Sequence, residues 1–208
     1  MTDIHTPHSL ALWLGYLSLA EVDFLTRLTV GLPPDSMVVN IGAGGGTSAL
    51  TFLSARDDLR LFTIDRVREI TPVGGLENER LILEAAGLAN GRYQAVHGDS
   101  ARVGMDWDRG LLDMIFVDGD HSYMGCWADL EAWWPRLKRG GILAVHDYLK
   151  TEHYRATHPG EELTPDILVG VVKPYPGVDR AVKAFIEQHA VSFVDTVDTL
   201  IALRKEIE

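Results

Sequence analysis

Cysteine is nearly absent from this chain of 208 residues: Cys126 stands alone. A lone cysteine excludes an intrachain disulfide and fits a reducing compartment. Positive charge is also scarce, with 19 Lys and Arg against 30 Asp and Glu and a formal net charge of −11. Such a chain gains nothing from counterion release on nucleic acid. It has no basic patch to meet an anionic membrane surface. No apolar run reaches the roughly 20 residues of a membrane helix. The opening residues, 1–19, lack a positively charged start and are interrupted by His, Pro and Ser, unlike a signal peptide. Low-complexity runs are missing as well. These absences predict a soluble, cytoplasmic protein with neither nucleic acid nor membrane as partner. With 46% hydrophobic and 24% charged residues, the balance is that of an ordinary globular chain, and residues 1–208 suit one α/β domain.

What is present alternates. An N-terminal helical segment (9–30) carries Leu12, Tyr16, Leu19, Val22, Leu25 and Leu28 at helical spacing over 9–29, then stops at Gly31-Leu32-Pro33-Pro34. Short apolar runs at 37–41, 60–64, 93–97, 112–117 and 142–145 read as strands, with helices at 47–55, 77–86 and 124–137 between them. Arg139-Gly140-Gly141 reads as the turn after the last of these helices. Residues 149–175 have little periodicity and read as a lid loop, with His153, Tyr154 and His158 available to shape substrate choice. A helix at 178–189 and two strands at 191–195 and 199–204 close the chain.

Strands alternating with helices imply parallel pairing through right-handed crossovers. In such sheets ligands bind beyond the carboxyl ends of the strands. Those ends carry, in order, Gly42-Ala43-Gly44-Gly45-Gly46, Asp65, Asp99, Asp118 and His146-Asp147. A loop aspartate often does no more than cap a helix. Carboxylates at four of five strand ends are harder to explain by capping alone.

The glycine loop follows a strand and precedes a helix, where glycine permits a sharp turn and close ligand approach. It lacks the Gly-Lys-Ser/Thr ending of a phosphate loop. A dinucleotide site would place its third glycine at Thr47. Asp65, nineteen residues after Gly46, is placed to accept both ribose hydroxyls of an adenosine ligand, whether it is NAD or another. Asp99, in Gly98-Asp99-Ser100, is placed at the adenine edge.

The run Asp118-Gly119-Asp120-His121-Ser122-Tyr123, with Asp129-Leu130, Trp133, Pro135, Leu137, Gly140-Gly141 and His146-Asp147-Tyr148, makes the chain specific. It resembles a class I S-adenosylmethionine (SAM)-dependent methyltransferase, most closely the branch of macrocin-type and cephalosporin-cluster O-methyltransferases. The spacing of the glycine loop is similar to that family's. The resemblance implies a Rossmann-like sheet of seven strands, mostly parallel with an antiparallel last strand, and helices on both faces. It implies SAM as cofactor, held by Asn40, Gly42, Ala43, Gly44, Gly46, Thr47, Ser48, Asp65, Asp99, Ser100 and Asp118. Asn40 is a departure, because the family usually has an acid at that position.

Metal-dependent relatives hold a divalent cation at positions that correspond to Asp118, His146 and Asp147. Its role would be to lower the pKa of a substrate hydroxyl. Magnesium prefers oxygen ligands, whereas imidazole favours manganese or other transition ions. Asp120, His121 or His146 would take the proton, a histidine having the better unperturbed pKa for that task. The implied reaction is O-methylation of a small hydroxylated acceptor, a sugar or natural-product intermediate, in a protein whose relatives often form homo-oligomers. An NAD-dependent oxidoreductase and a non-catalytic SAM-binding module are the alternatives. Tyr148, Trp127, Trp133 and Trp134 invite a stacking role, yet adjacent helix positions point about 100° apart, so at least one of Trp133 and Trp134 belongs to the core.

Overall fold

The computed structural model describes residues 6–148 and 176–206. The expected lid, 149–175, with His153, Tyr154 and His158, lies outside the described residues. Among the described residues no helix is long and apolar enough to cross a membrane.

The N-terminal segment forms two helices rather than the single one that periodicity predicts: α1 (Pro7–Leu14) and α2 (Leu19–Val30). Gly15 ends α1 in the left-handed conformation, with φ 70°, and Ser18 opens α2 with a capping box closed by Glu21. Apolar spacing carries across this break, which hid it. Next come β1 (Met37–Ile41), α3 (Thr47–Ala55), β2 (Arg60–Asp65), α4 (Leu76–Ala85) and β3 (Tyr93–His97). Then follow α5 (Ser100–Met105), β4 (Leu112–Val117), α6 (Tyr123–Trp133) and a 3-10 turn, Trp134–Arg136. The described chain ends with β5 (Leu137–Val145), α7 (Pro176–Gln188), β6 (Val191–Val197) and β7 (Leu200–Lys205).

Helix α5 went unread in the sequence because it is only six residues long. Arg139-Gly140-Gly141 lies within β5, not in a turn before it. Between the pairs Leu112↔Leu137 and Met114↔Ile142 the register shifts, so the extra residues of β5 bulge out of the ladder.

The strands form one seven-stranded sheet in the order β3-β2-β1-β4-β5-β7-β6. β1 to β5 pair in parallel, and β7 runs antiparallel to both β5 and β6. This is the Rossmann-like methyltransferase architecture with a reversed last strand. Helices cover both faces, so the central strands are apolar on both sides. Along β4, Met114 and Phe116 enter the core shared with α1, α2 and α3, while Ile115 and Val117 enter the core shared with α6 and α7. Phe52 meets Phe116 edge-on at 5.9 Å in the first core, and Trp107 meets Trp133 at 5.2 Å in the second. Each such side chain contributes about 1.5–3 kcal/mol by leaving water. Trp133 is fully buried and Trp134 packs on Phe185, so both serve the core. Cys126 is buried too, and burial pushes its thiol up to about 12.

The strand order reverses direction between β1 and β4, and ligands bind at such switch points. Gly42, directly after β1, touches the end of β4: a Cβ there would stand 2.1 Å from the Asp118 carbonyl oxygen, and its φ is +92°. Only glycine fits that crossing.

Candidate active site

Two adjoining cavities of about 360 Å³ each open over the carboxyl ends of β1, β2, β3, β4 and β5. They share Gly42, Gly44, Val73 and Asp118. The first extends to Tyr16, Ala43, Thr47, Ser48, His121 and Asp147. The second extends to Asp65, Arg66, Asp99, Ser100, Asp120 and Asp129.

In the second cavity Asp65 braces the glycine loop. One carboxylate oxygen accepts from the Ala43 amide and the other from the Val67 amide, both at 2.7 Å. A carboxylate offers about four lone-pair sites, so two remain for ligand hydroxyls. Asp99 caps α5, accepting from the Arg102 amide at 3.0 Å, and also lines the cavity. The Ser100 hydroxyl donates to Asp129, which is buried and whose second oxygen has no partner among the described residues. Burial raises the Asp129 carboxyl to about 6. Asp120 stands on this side as well, accepting from the Ser122 amide at 2.9 Å and lying 3.7 Å from Arg66. The Ser122 bonds hold its carboxyl below the usual range. It is therefore a weak proton acceptor and it faces the cofactor half.

The first cavity holds a histidine–carboxylate network. His121 Nε2 lies 3.2 Å from Asp118 Oδ1 and 3.3 Å from Asp147 Oδ2. Asp147 is buried and has φ +61°, the left-handed conformation that aspartate adopts more readily than most side chains. His146 is buried between two carboxylates: Nδ1 lies 3.3 Å from Asp118 Oδ1, and Nε2 lies 3.3 Å from Glu21 Oε2. Burial disfavours the imidazolium, yet Asp118 and Glu21 together hold its pKa well above 6.5. Burial also works against ionised Glu21, but His146, Ser18 and Thr199 outweigh it and bring the carboxyl down to about 2. In the same way His146 and His121 hold Asp118 well below the usual range despite burial.

Both ring nitrogens of His146 face protein groups, Nδ1 towards Asp118 and Nε2 towards Glu21. Among the described residues, the group whose donor atoms converge is Asp118, His121 and Asp147, within 4.8 Å of one another. His146, expected with Asp118 and Asp147, lines the same cavity, its Nδ1 3.3 Å from Asp118 and 3.6 Å from Asp147.

Asn40 and Gly46 are not among the residues that line the two cavities. Asn40 is fully buried behind the loop, and Gly46 turns towards α4. Gly45 lines the first cavity instead. Gly42, Ala43, Gly44, Thr47, Ser48, Asp65, Asp99, Ser100 and Asp118 all face one cavity or both. Sequence reasoning missed Gly15, Tyr16 and Leu17, which form a wall between α1 and α2, and also Val73 and Gly74. The Ser18-to-Glu21 capping box was the available signal for that wall.

The residues present suit an adenosine-bearing cofactor. The loop backbone is open to close approach, Asp65 has acceptor capacity in reserve, and the buried Thr47 hydroxyl has no partner among the described residues. The fold and site define a Rossmann-like domain with a cleft at its strand ends. Residues 39–148 match the model of a family described as a methyltransferase domain, and the chain belongs to that family. No curated protein matches it. Among solved structures it is similar to a Podospora anserina methyltransferase bound to S-adenosylhomocysteine (SAH): TM-score 0.73, 16% identity, 100% of this chain and 89% of that one covered. An O-methyltransferase of tomaymycin synthesis from Streptomyces achromogenes, in complex with SAM, gives TM-score 0.70 and 18% identity, covering 100% and 91%. A Bacillus cereus O-methyltransferase in complex with SAH gives 0.65 and 18%, covering 91% and 82%. At these identities the likeness is one of fold.

Proposed function

We propose that the protein binds SAM across the two cavities and transfers its methyl group to a hydroxyl oxygen of a small molecule, a sugar or natural-product intermediate, as in the macrocin-type branch. The observation that carries this reading is the pairing of Asp65 at one end of the joined cavities with His121 at the other. When bound, SAM supplies a methyl carbon on a positive sulfur: the acceptor oxygen bonds to that carbon, the sulfur keeps the broken bond's electron pair, and the hydroxyl proton leaves.

Asp65 accepts the ribose hydroxyls, and Asp99 with Ser100 borders the adenine. The amides at the start of α3, beside Thr47 and Ser48, present the positive end of a helix to the cofactor's carboxylate. His121 takes the proton, and Asp118 and Asp147, which face its Nε2 at 3.2 and 3.3 Å, stabilise the imidazolium that results. Methyl transfer needs little beyond alignment and a nucleophilic oxygen, so positioning supplies much of the rate.

A second reading has a divalent cation held by Asp118, His121 and Asp147, and the convergence of their donor atoms favours it. Two carboxylates and an imidazole suit Mn²⁺ better than Mg²⁺. A cation there would lower the pKa of the acceptor hydroxyl. His121 would then be a ligand and not the base. Incubation with methyl-labelled SAM and a panel of hydroxylated acceptors, with Mn²⁺, with Mg²⁺ and with chelator, tests both readings. Label transfer that survives chelator supports His121 as base; transfer only with a cation supports the second. Label that never leaves SAM, or hydride transfer with NAD, contradicts methyl transfer.

A further inference from the structure

The glycine loop is supported from behind by a buried polar cluster that no step above uses. Asn40, on β1, directs its Nδ2 towards the Gly42 carbonyl at 3.2 Å, Thr63 Oγ1 at 3.2 Å and Glu79 Oε2 at 3.4 Å. Glu79 sits on α4 and is fully buried. The α4 entrance is bonded to the loop as well, the Gly75 amide donating to the Gly44 carbonyl at 2.9 Å. Gly46 lies so close to α4 that a Cβ on it would stand 3.2 Å from the Glu79 Cα, and its φ is +90°. Loop and helix are thus one packed unit, with Glu79 at their contact.

We infer that Glu79 is a positioning residue of the glycine loop: it fixes the Asn40 amide that holds the Gly42 carbonyl, and so shapes the cofactor site from outside it. An amide has a donor end and an acceptor end, and an acceptor opposite Nδ2 decides which end faces Gly42. Removing that acceptor leaves Asn40 free to turn its oxygen towards the Gly42 carbonyl, where two acceptors repel.

The charge state of Glu79 supports this role. Burial raises its carboxyl to about 8, and the negative charge of Asp65, on β2, pushes the same way, while Thr63 and Tyr93 partly counter them. At neutral pH Glu79 is therefore an uncharged acid, able to accept through one oxygen and donate through the other. Above about pH 8 it ionises in a dry setting close to Asp65. A cofactor carboxylate at the start of α3, as proposed above, would bring a further negative charge to the loop and favour the uncharged form. By linkage, cofactor affinity falls as pH rises through this range.

This inference rests on the cofactor reading. Its test is calorimetric titration of SAH into wild type, Glu79→Gln and Glu79→Ala between pH 6.5 and 9, with the thermal midpoint of each protein followed over the same range. Glutamine keeps an uncharged acceptor and donor. Glu79→Gln is expected to bind like wild type at pH 6.5 and to lose less affinity on going to pH 9. The difference should approach about tenfold, the equivalent of one pKa unit. Because the ligand's own amine titrates identically in both, it cancels from the comparison. Glu79→Ala is expected to bind about tenfold more weakly at every pH, losing about 1.4 kcal/mol. The wild-type midpoint should fall relative to that of Glu79→Gln as pH rises to 8. Identical pH profiles for wild type and Glu79→Gln, or Glu79→Ala binding as tightly as wild type, would overturn the role of Glu79. Failure of wild type to bind SAH at pH 6.5 would instead overturn the cofactor reading on which it stands.

Discussion

Glu21 Oε2 lies 3.3 Å from His146 Nε2, joining helix α2 to the end of β5 across 125 residues of chain. The other oxygen of Glu21 accepts from the Thr199 amide at 2.9 Å and from its hydroxyl at 2.7 Å. One buried carboxylate thus closes a helix cap, anchors the β6–β7 turn and compensates a buried imidazolium. The wall formed by Gly15, Tyr16 and Leu17 therefore stands at a fixed distance from Asp118 and Asp147.

Removing half of this pair exposes its contribution. Glu21→Gln keeps the shape but leaves His146 only the carboxylates on its Nδ1 side, Asp118 and Asp147, and breaking a buried pair costs about 3–5 kcal/mol. The shift is expected at the low end, because the second carboxylate remains. Glu21 has a depressed pKa, so its stabilisation is fully present above the unfolded value of 4.5 and is lost as pH falls towards 2. Urea midpoints from pH 6 down to 3 should fall faster for wild type than for Glu21→Gln. Parallel curves would show that Glu21 titrates normally.

Gly42→Ala tests the crossing of β1 over β4. The new Cβ would stand 2.1 Å from the Asp118 carbonyl oxygen, on a backbone at φ +92°. Strain of at least about 2 kcal/mol is expected, together with loss of SAH binding, because the loop must retreat from Asp118. A variant as stable as wild type that still binds SAH would refute the close approach.

His121→Ala separates chemistry from cofactor binding. A positioned base contributes about 10²–10⁴-fold to rate, so kcat should fall by that order while SAH affinity changes by less than about threefold. Loss of rate accompanied by loss of cation stimulation would place His121 among the ligands.

Cys126 is buried on α6, and its thiol is pushed up to about 12. Thiolate, not thiol, reacts with disulfide reagents. The folded protein should therefore leave Cys126 unmodified at pH 8, and denaturant should release one equivalent of reactive thiol. Rapid modification of the folded protein would contradict its burial.

Much of the fold was legible because the strands are short apolar runs with carboxylates at their ends, and their order dictates where those ends meet. Met37–Ile41 and Leu112–Val117 were read to the residue for this reason. The break at Gly15 was not, because Leu12, Tyr16 and Leu19 keep helical spacing through it. The strand-end places of the candidate site residues were legible, but not their pairings. His146 and His121 were both candidate bases in sequence; the contact of His146 Nε2 with Glu21, distant in the chain, was not visible there. Asn40 likewise gave no sign that Glu79 stands behind it, since a buried acid on a helix carries no local pattern.

The central claim is that the joined cavities hold SAM with Asp65 on its ribose, and calorimetric titration with SAH on wild type and Asp65→Ala tests it most directly. Wild-type binding in the micromolar range, weakened at least about a hundredfold in Asp65→Ala by loss of charge-assisted bonds to the ribose, is the predicted result. Absence of binding in wild type, or equal affinity in the two proteins, would contradict it.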